Sequence, residues 1–385
     1  MNPQSAAIAG LGATPYYFRG TSAPQTLYEL IGKAALAAVA DAGLKITDID
    51  GFAFYANGFE PGLLTEMLGI PAITFAGVVA GQGGGSAGVL DMAAMAIETG
   101  RARHVLCIGA CQQSDRRYGL ALANLLPTPD SVWQRISGLK GPGHALALLV
   151  RRHMHLYGTR REAFAEVVMA SRTYAGTRPE AIRRKPLLLD AYMAAPMMAD
   201  PLCRFDFCLE TDGAVAVLVT SEERARDLAQ RPVHIVASAH GGERDWGRSF
   251  FSLNMPESHF TTAGGEHCAR RLYDRAGIGP ADIDVALLYD HFSPLVIMQL
   301  EDYGFCARGE GGPLVESGAI RAGGSIPVNP HGGHLSEAYV VGMTHIREAV
   351  EQLRGQAINQ VAGARLALVT GGPAPLPMSG AILGI

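Results

Sequence analysis

The sequence predicts an α/β layered fold assembled from two similar halves. Three observations carry that prediction. Apolar strand candidates alternate with helices of three- and four-residue apolar spacing, one helix–turn–strand pattern occurs twice, and 48% of the 385 residues are apolar. The repeated pattern is AALAAVADAGLKITDIDGFAFY (34–55) and ARRLYDRAGIGPADIDVALLYD (269–290). Each runs helix, Ala-Gly-Leu or Ala-Gly-Ile, Asp-Ile-Asp, strand, which marks a duplication. The halves are expected to divide as 1–230 and 231–385, since so long a chain exceeds one ordinary core.

In chain order, AAIAGLG reads as an opening strand. TLYELIGKAALAAVADAGL (26–44) follows as a helix stopped by Gly43, then DIDGFAFYA as a strand. GGGSAGVLDMAAMAIETG (83–100) is a glycine-rich turn running into a helix closed by Gly100, and HVLCIGACQ (104–112) is a buried strand. Residues 113 to about 205 are rich in Arg, Pro, Met and His and break this rhythm, so a mostly helical insertion is expected there. AVAVLVTSEERARDLA (214–229) restores strand and helix, and VHIVASAH (233–240) begins the second series. IREAVEQLRGQA (346–357) and ARLALVTGG (364–372) supply its last helix and strand.

A formal net charge of -4 gives no electrostatic reason to expect nucleic acid or an anionic membrane as partner. The local cluster RRHMHLYGTRR (151–161) reads as a solvated helix face or as a patch for a phosphorylated carrier. Six cysteines without C-x-x-C spacing point to reduced thiols. There is no basic leader followed by a long apolar run and no stretch long enough to span a bilayer, so a cytoplasmic protein is expected.

Two segments carry the chemistry. LLYDHFSP (287–294) and NPHGGHLSEAYVVGM (329–343) set Tyr289 and Tyr339 beside Asp, His, Glu and tight glycines. Such surroundings position a phenol and bias its protonation. Two phenols converging on one cleft would form an acid/base pair without a nucleophile or a metal. Gly83, Gly84 and Gly85 precede a helix, so their amides are candidates to hold an oxyanion or carbonyl, unless they only make a tight turn. Gly371 and Gly372 are their counterparts in the second half. No Gly-Lys-Ser/Thr follows either run, which removes the phosphate-cradle reading. His331 and His334 share a loop with no third ligand at suitable spacing, so no metal is expected and His331 is assigned a supporting hydrogen bond. Asp290 and His291 are expected to hold the Tyr289 loop, and Cys107 and Cys111 to be core residues.

The duplication and these motifs resemble the thiolase superfamily, closest to the sterol carrier protein X and lipid-transfer-protein group of bacterial steroid degradation. RRHMHLYGTRREAF, RRKPLLLDAYMAAPMMADPL and ETDGAVAVLVTS look like its loop-domain signatures; HFSPLVIMQLEDYGFCARGEGG and HIREAVEQLRGQAINQVAGA look like its C-terminal half. The resemblance implies a five-layered α/β/α/β/α fold. Where thiolases carry a nucleophilic cysteine this chain aligns Gly83, and where they carry a second cysteine it has Val369. Their Asn-Glu-Ala-Phe becomes Tyr289-Asp290-His291-Phe292, and their Gly-His-Pro becomes Ala338-Tyr339-Val340. Acyl transfer through a thioester needs an activated thiol. The match therefore implies instead the steroid side-chain aldolases of this group, which cleave a β-hydroxyacyl-CoA with two catalytic tyrosines. Gly83, Gly84, His331 and Gly371 become the expected substrate contacts. Coenzyme A enters as part of the substrate, and no separate cofactor is expected. The resemblance further implies a homodimer and a separate small partner with OB-fold and zinc-ribbon elements. A thiolase-like acyltransferase and a catalytically silent acyl-CoA-binding subunit are the competing readings.

Overall fold

The computed structural model describes residues 5–55, 60–79, 82–113, 129–242, 260–372 and 378–385; the stretch 114–128 of the expected insertion lies outside them. The first half contains β1 (Ala6–Ala13), β2 (Tyr17–Phe18), α1 (Leu27–Asp41), β3 (Gly51–Tyr55), α2 (Pro61–Leu68), β4 (Phe75–Val79), α3 (Gly88–Glu98) and β5 (His104–Cys111). Four helices follow: α4 (Pro129–Ile136), α5 (Pro142–Tyr157), α6 (Arg161–Thr177) and α7 (Leu189–Met193). A small ribbon of β6 (Met197–Ala199) and β7 (Leu202–Cys203) completes the insertion, before β8 (Thr211–Ser221) and α8 (Glu222–Ala225). The second half contains β9 (Val233–Gly241), α9 (Glu266–Ala276), β10 (Val285–Leu287), α10 (Ser293–Asp302), α11 (Gly311–Glu316), α12 (Met343–Arg354), β11 (Leu366–Thr370) and β12 (Met378–Gly384).

The long sheet runs β10-β11-β12-β9-β1-β8-β5-β3-β4. Its two ends are built alike. In the first half β3 and β5 are parallel, and β8 and then β1 follow antiparallel. In the second, β10 and β11 are parallel, and β12 and then β9 follow antiparallel. The two series join where β1 meets β9 at Ala7 and Ile8. Helices α3 and α12 each touch strands of both series and form the middle layer, while α1 covers the outer face of the first and α9 that of the second. The layer order is thus the expected α/β/α/β/α.

Three apolar clusters fill this sandwich. Leu30, Ile31, Ala34 and Ala38 of α1 pack on Phe52, Phe54, Leu106 and Ile108. Leu90, Ala93, Ile346 and Val350 pack between the two strand series. Leu146, Phe164, Val168 and Leu202 of the insertion join Leu295 and Leu300 on the far side. Among the described residues no helix is long and apolar enough to cross a membrane.

The internal echo extends to hydrogen bonds. Gly43 and Gly277 follow the repeated helices with φ of 74° and 67°, the left-handed conformation that stops a helix. Asp48 accepts from Lys45 N and Asp282 from Gly279 N, each at 2.8 Å. Asp50 accepts the amides of Arg103 and His104 at the start of β5, at 2.9 and 2.8 Å. Asp284 accepts those of Arg365 and Leu366 at the start of β11, at 2.8 and 2.9 Å. The second aspartate of each Asp-Ile-Asp therefore ties its strand to the parallel neighbour. Replacing Asp50 or Asp284 with Ala removes charge-assisted bonds to two strand-end amides, with an expected cost of about 1–3 kcal/mol each. The two losses should add, since the sites lie in different halves. Urea midpoints unchanged in both variants would contradict this account.

Candidate active site

Tyr289 lies two residues beyond the end of β10, and Tyr339 follows a single π-helical turn, Gly333–Glu337. A threonine hydroxyl pins the backbone of each. Tyr289 N donates to Thr370 Oγ1 at 2.9 Å, Thr370 Oγ1 donates to Gln299 Oε1 at 2.6 Å, and Gln299 Nε2 returns to Tyr289 O at 2.9 Å. Tyr339 N donates to Thr211 Oγ1 at 2.9 Å, and the same hydroxyl donates to Tyr339 O at 2.7 Å. Thr370 ends β11 of the second half and Thr211 opens β8 of the first. So held, the two phenol oxygens stand 3.0 Å apart with their rings at 89°, and the side chains are only 1% and 2% exposed. Sequence reasoning named both tyrosines but not Gln299 or the threonines, which lie 81 and 128 residues from the tyrosines they hold and carry no local signal.

The glycines explain how the phenols fit. A Cβ at Gly83 would stand 3.0 Å from Tyr289 Oη, so the phenol fills the space that a side chain at 83 would need. Gly342, at φ +88°, likewise has no room for a Cβ beside Ser86 and Tyr289. Gly372 N donates to Gly83 O at 2.6 Å and Gly371 N to Ser379 O at 2.7 Å. These two amides close a backbone seam instead of pointing at a ligand. Gly84 lies in the same short turn, Gln82–Gly85, which precedes α3.

No cysteine is poised as a nucleophile. Burial pushes all six thiols above their ordinary range, Cys111, Cys268 and Cys306 to about 12. The thiolate is the reactive form. Cys111 instead donates from Sγ to Tyr339 O at 3.0 Å and helps hold that loop. Val369 is a buried residue of β11.

Around the tyrosines lies a set of imidazoles. His334 touches both rings, at centroid distances of 4.5 Å from Tyr289 and 5.0 Å from Tyr339. His331 does not take that place. It is fully buried against His345, at 4.8 Å, with Nε2 3.9 Å from Glu337. Asp290 organises the group, accepting from His334 N at 2.9 Å and Leu335 N at 3.3 Å, with His345 Nε2 3.1 Å away. Gly333 has no space for a Cβ beside this carboxylate. Asp290, His334 and His345 have the types of a metal-binding trio, and their ligating atoms lie within 4.8 Å of one another. Yet His345 Nε2 also lies 2.8 Å from Leu288 O, and a carbonyl can only accept, so that nitrogen carries its proton and is not a free ligand. Burial holds His331 and His334 well below the ordinary histidine range, neutral at physiological pH.

A family model described as "Thiolase C-terminal domain-like" matches residues 252–382. The 17-hydroxy-3-oxo-4-pregnene-20-carboxyl-CoA lyase of Mycobacterium tuberculosis is 39% identical over 98% of this chain and 99% of its own length. The steroid side-chain-cleaving aldolase of Thermomonospora curvata is 38% identical, over 99% and 98%. Among solved structures, the Ltp2-ChsH2(DUF35) aldolase aligns with a TM-score of 0.91 at 37% identity, covering 99% of this chain and 98% of that one.

Behind Tyr339 lies a buried ionic cluster. Arg178, 1% exposed, follows α6 and faces four carboxylates: Glu337 at 2.9 Å, Glu348 at 2.9 Å, Glu180 at 2.9 Å and Glu351 at 3.3 Å. Arg347 adds a second guanidinium against Glu180 and Glu351, and its Nη1 donates to Tyr16 Oη. Two guanidiniums face four carboxylates, of which Glu337 and Glu348 are buried and Glu180 and Glu351 reach solvent, so the bias toward the protonated form falls on the buried pair. Burial raises Glu337 to about 8 and Glu348 to about 7, with Arg178 opposing the rise. A folded-state pKa above the unfolded value means stability that is fully present below the ordinary carboxylate range and lost as pH rises through about 7 to 8. Unfolding free energy should therefore fall between pH 5 and 9, by an amount on the order of several kcal/mol. Glu337→Gln and Glu348→Gln should each flatten that slope in denaturant titrations. A slope left unchanged in both variants would refute the assignment.

Proposed function

Because this chain belongs to the thiolase superfamily, in the group of the steroid side-chain-cleaving aldolases, we propose that it cleaves a steroid β-hydroxyacyl-CoA by a retro-aldol reaction. One tyrosine takes the proton of the β-hydroxyl, the Cα–Cβ bond breaks, and its electron pair passes into the thioester as an enolate. The other tyrosine returns a proton to Cα. The products are a steroid ketone or aldehyde and a short acyl-CoA, acetyl-CoA or propionyl-CoA. The observation that carries this reading is the 3.0 Å contact between the two phenol oxygens. An unperturbed phenol, with a pKa near ~10, is a poor resting base at neutral pH. A phenol that passes its own proton to a neighbour as it accepts another need not be ionised at rest. The proton removed from oxygen equals the proton delivered to carbon, so the pair is reset within each turnover.

The raised thiols and the blocked side-chain space at Gly83 argue against a covalent acyl-enzyme. Coenzyme A arrives with the substrate, and the chemistry calls on no further cofactor. Tyr289→Phe and Tyr339→Phe keep the ring and remove the exchanging proton. Each should lower turnover of a steroid β-hydroxyacyl-CoA by about 10²-fold or more with the fold intact. The double variant should fall little below the worse single one, as expected for a relay acting as a unit. Near-wild-type turnover in both single variants would leave the silent acyl-CoA-binding subunit as the better reading.

The same proposal extends to assembly. Strand β4 ends the described sheet, with Val78 55% exposed, and offers an edge for a second copy to pair into a homodimer. A small protein with OB-fold and zinc-ribbon elements is the proposed separate partner, a reading supported by the DUF35 in the name of the similar Ltp2-ChsH2(DUF35) aldolase, and the cytoplasm is the proposed location. Light scattering at micromolar concentration should give the dimer mass. Co-expression with such a protein should yield a co-purifying complex with raised activity. A monomer in the first measurement, or no association in the second, would count against the corresponding claim.

A further inference from the structure

Three histidines border Tyr289 or Tyr339 in the described structure, His291, His334 and His345, with His331 behind them, and they differ in what they can reach. His331, His334 and His345 are fully buried. His291 keeps part of its surface accessible. Its ring stands edge-on to Tyr289 at 5.2 Å and 73°, and to Phe292 at 4.8 Å. Its carbonyl is fixed by Cys208 N at 2.9 Å, so the backbone under the ring is held. The neighbouring carboxylate, Asp290, is already engaged by His334 N, Leu335 N and His345.

The protonation of His291 follows from its surroundings. Nδ1 is buried and has no partner. A lone pair left without a donor is tolerated better than an N–H left without an acceptor, so the single ring proton belongs on Nε2, at the outer end of the side chain. Burial also pushes the imidazole down to about 3, which keeps it neutral throughout the physiological range. The adjacent carboxylate, Asp290, is turned to His334 N, Leu335 N and His345, and burial is the cause that acts on the His291 imidazole.

The retro-aldol step leaves one charge that neither tyrosine partners. When the Cα–Cβ bond breaks, its electron pair moves through the new C=C bond onto the thioester oxygen. Both phenols are occupied with protons at the β-oxygen and at Cα. The amides of Gly371 and Gly372, expected to be available for such an oxygen, donate to Ser379 O and Gly83 O.

We propose that His291 is a third catalytic residue, whose Nε2–H donates a hydrogen bond to the thioester oxygen of the bound acyl-CoA as that oxygen takes up enolate charge. The inference rests on the aldolase reading and deepens it. The proton stays on Nε2 throughout, and no group is transferred to the imidazole. A neutral donor suits an enolate that must next be protonated at carbon, because it stabilises the charge without quenching it at oxygen. Donors aimed at developing charge in an enclosed site act chiefly on the transition state.

His291→Phe keeps a ring in the cleft and removes both nitrogens; His291→Gln restores an N–H donor on a shorter reach. In steady-state assays with a steroid β-hydroxyacyl-CoA, kcat of His291→Phe should fall about 10²- to 10³-fold while KM changes little. His291→Gln should recover a substantial part of that loss. The factor separating wild type from His291→Phe should stay constant from pH 6 to 9, since a neutral donor does not titrate there. A His291→Phe protein with wild-type kcat, or a loss confined to KM, would overturn the inference. So would an acid limb between pH 6 and 7 that His291→Phe abolishes, which would mark a titrating acid or base. Failure of the aldolase reading looks different: wild-type protein would then release no ketone, aldehyde or short acyl-CoA, or would do so equally after Tyr289→Phe and Tyr339→Phe. Circular dichroism of each variant checks that the fold is retained.

Discussion

The contact between Tyr289 Oη and Tyr339 Oη is the constraint around which the surrounding structure is arranged. Leaving a buried hydroxyl unsatisfied costs on the order of 1–3 kcal/mol, and here two phenol hydroxyls meet in a nearly closed interior. Their separation depends on backbone placement more than on rotamer choice. Each tyrosine has both its N–H and its C=O tied to side chains: Thr370 and Gln299 for one, Thr211 and Cys111 for the other. Because Thr211 belongs to the first half and Thr370 to the second, the pair can form only when both halves have assembled.

Space for the phenols comes from absence of side chains. Gly83 leaves room for one ring, and Gly342 allows the chain to pass close to Ser86 and Tyr289 in a backbone conformation that other residues rarely adopt. Val341, just before it, has φ of +44°, which is uncommon for a β-branched residue. Asn329, at +48°, secures the start of the same segment by exchanging two side-chain hydrogen bonds with the backbone of Leu288, each at 2.8 Å. The segment from Asn329 to Gly342 is thus held in a sparsely populated backbone path by the polar groups at its ends and by Asp290 in its middle. Strain of this kind persists where the surroundings over-determine it, and it lies beside the reacting groups here.

The buried ionic cluster extends that support outward. Glu337 ends the turn before Tyr339, Arg178 follows an insertion helix, and Glu348 and Glu351 belong to the central helix α12. One guanidinium therefore joins the insertion to the Tyr339 turn and to α12, the latter 170 residues further along the chain. Such a cluster contributes less through net attraction than through the penalty for any arrangement that leaves a charge unpaired. It makes the position of the Tyr339 turn specific.

The α/β class, the duplication and the two tyrosines were legible in the sequence, because each rests on local signals. Apolar spacing, the paired Asp-Ile-Asp motifs and glycine stops depend on residues within a few positions of one another, and the five-layered architecture followed from the family resemblance they carried. What stood beside the tyrosines was not legible. The loop offers His331 and His334 alike, with His331 expected as the supporting contact, yet only His334 reaches both phenols, and His345 enters from a helix beyond the motif. Gly371 reads as an open amide in the sequence, but in the fold it donates to Ser379 O. Burial, hydrogen-bond partners and pKa direction depend on segments separated by up to hundreds of residues. Local pattern therefore determined which elements form, while the tertiary structure alone decided which polar groups face one another and which remain free to meet a substrate.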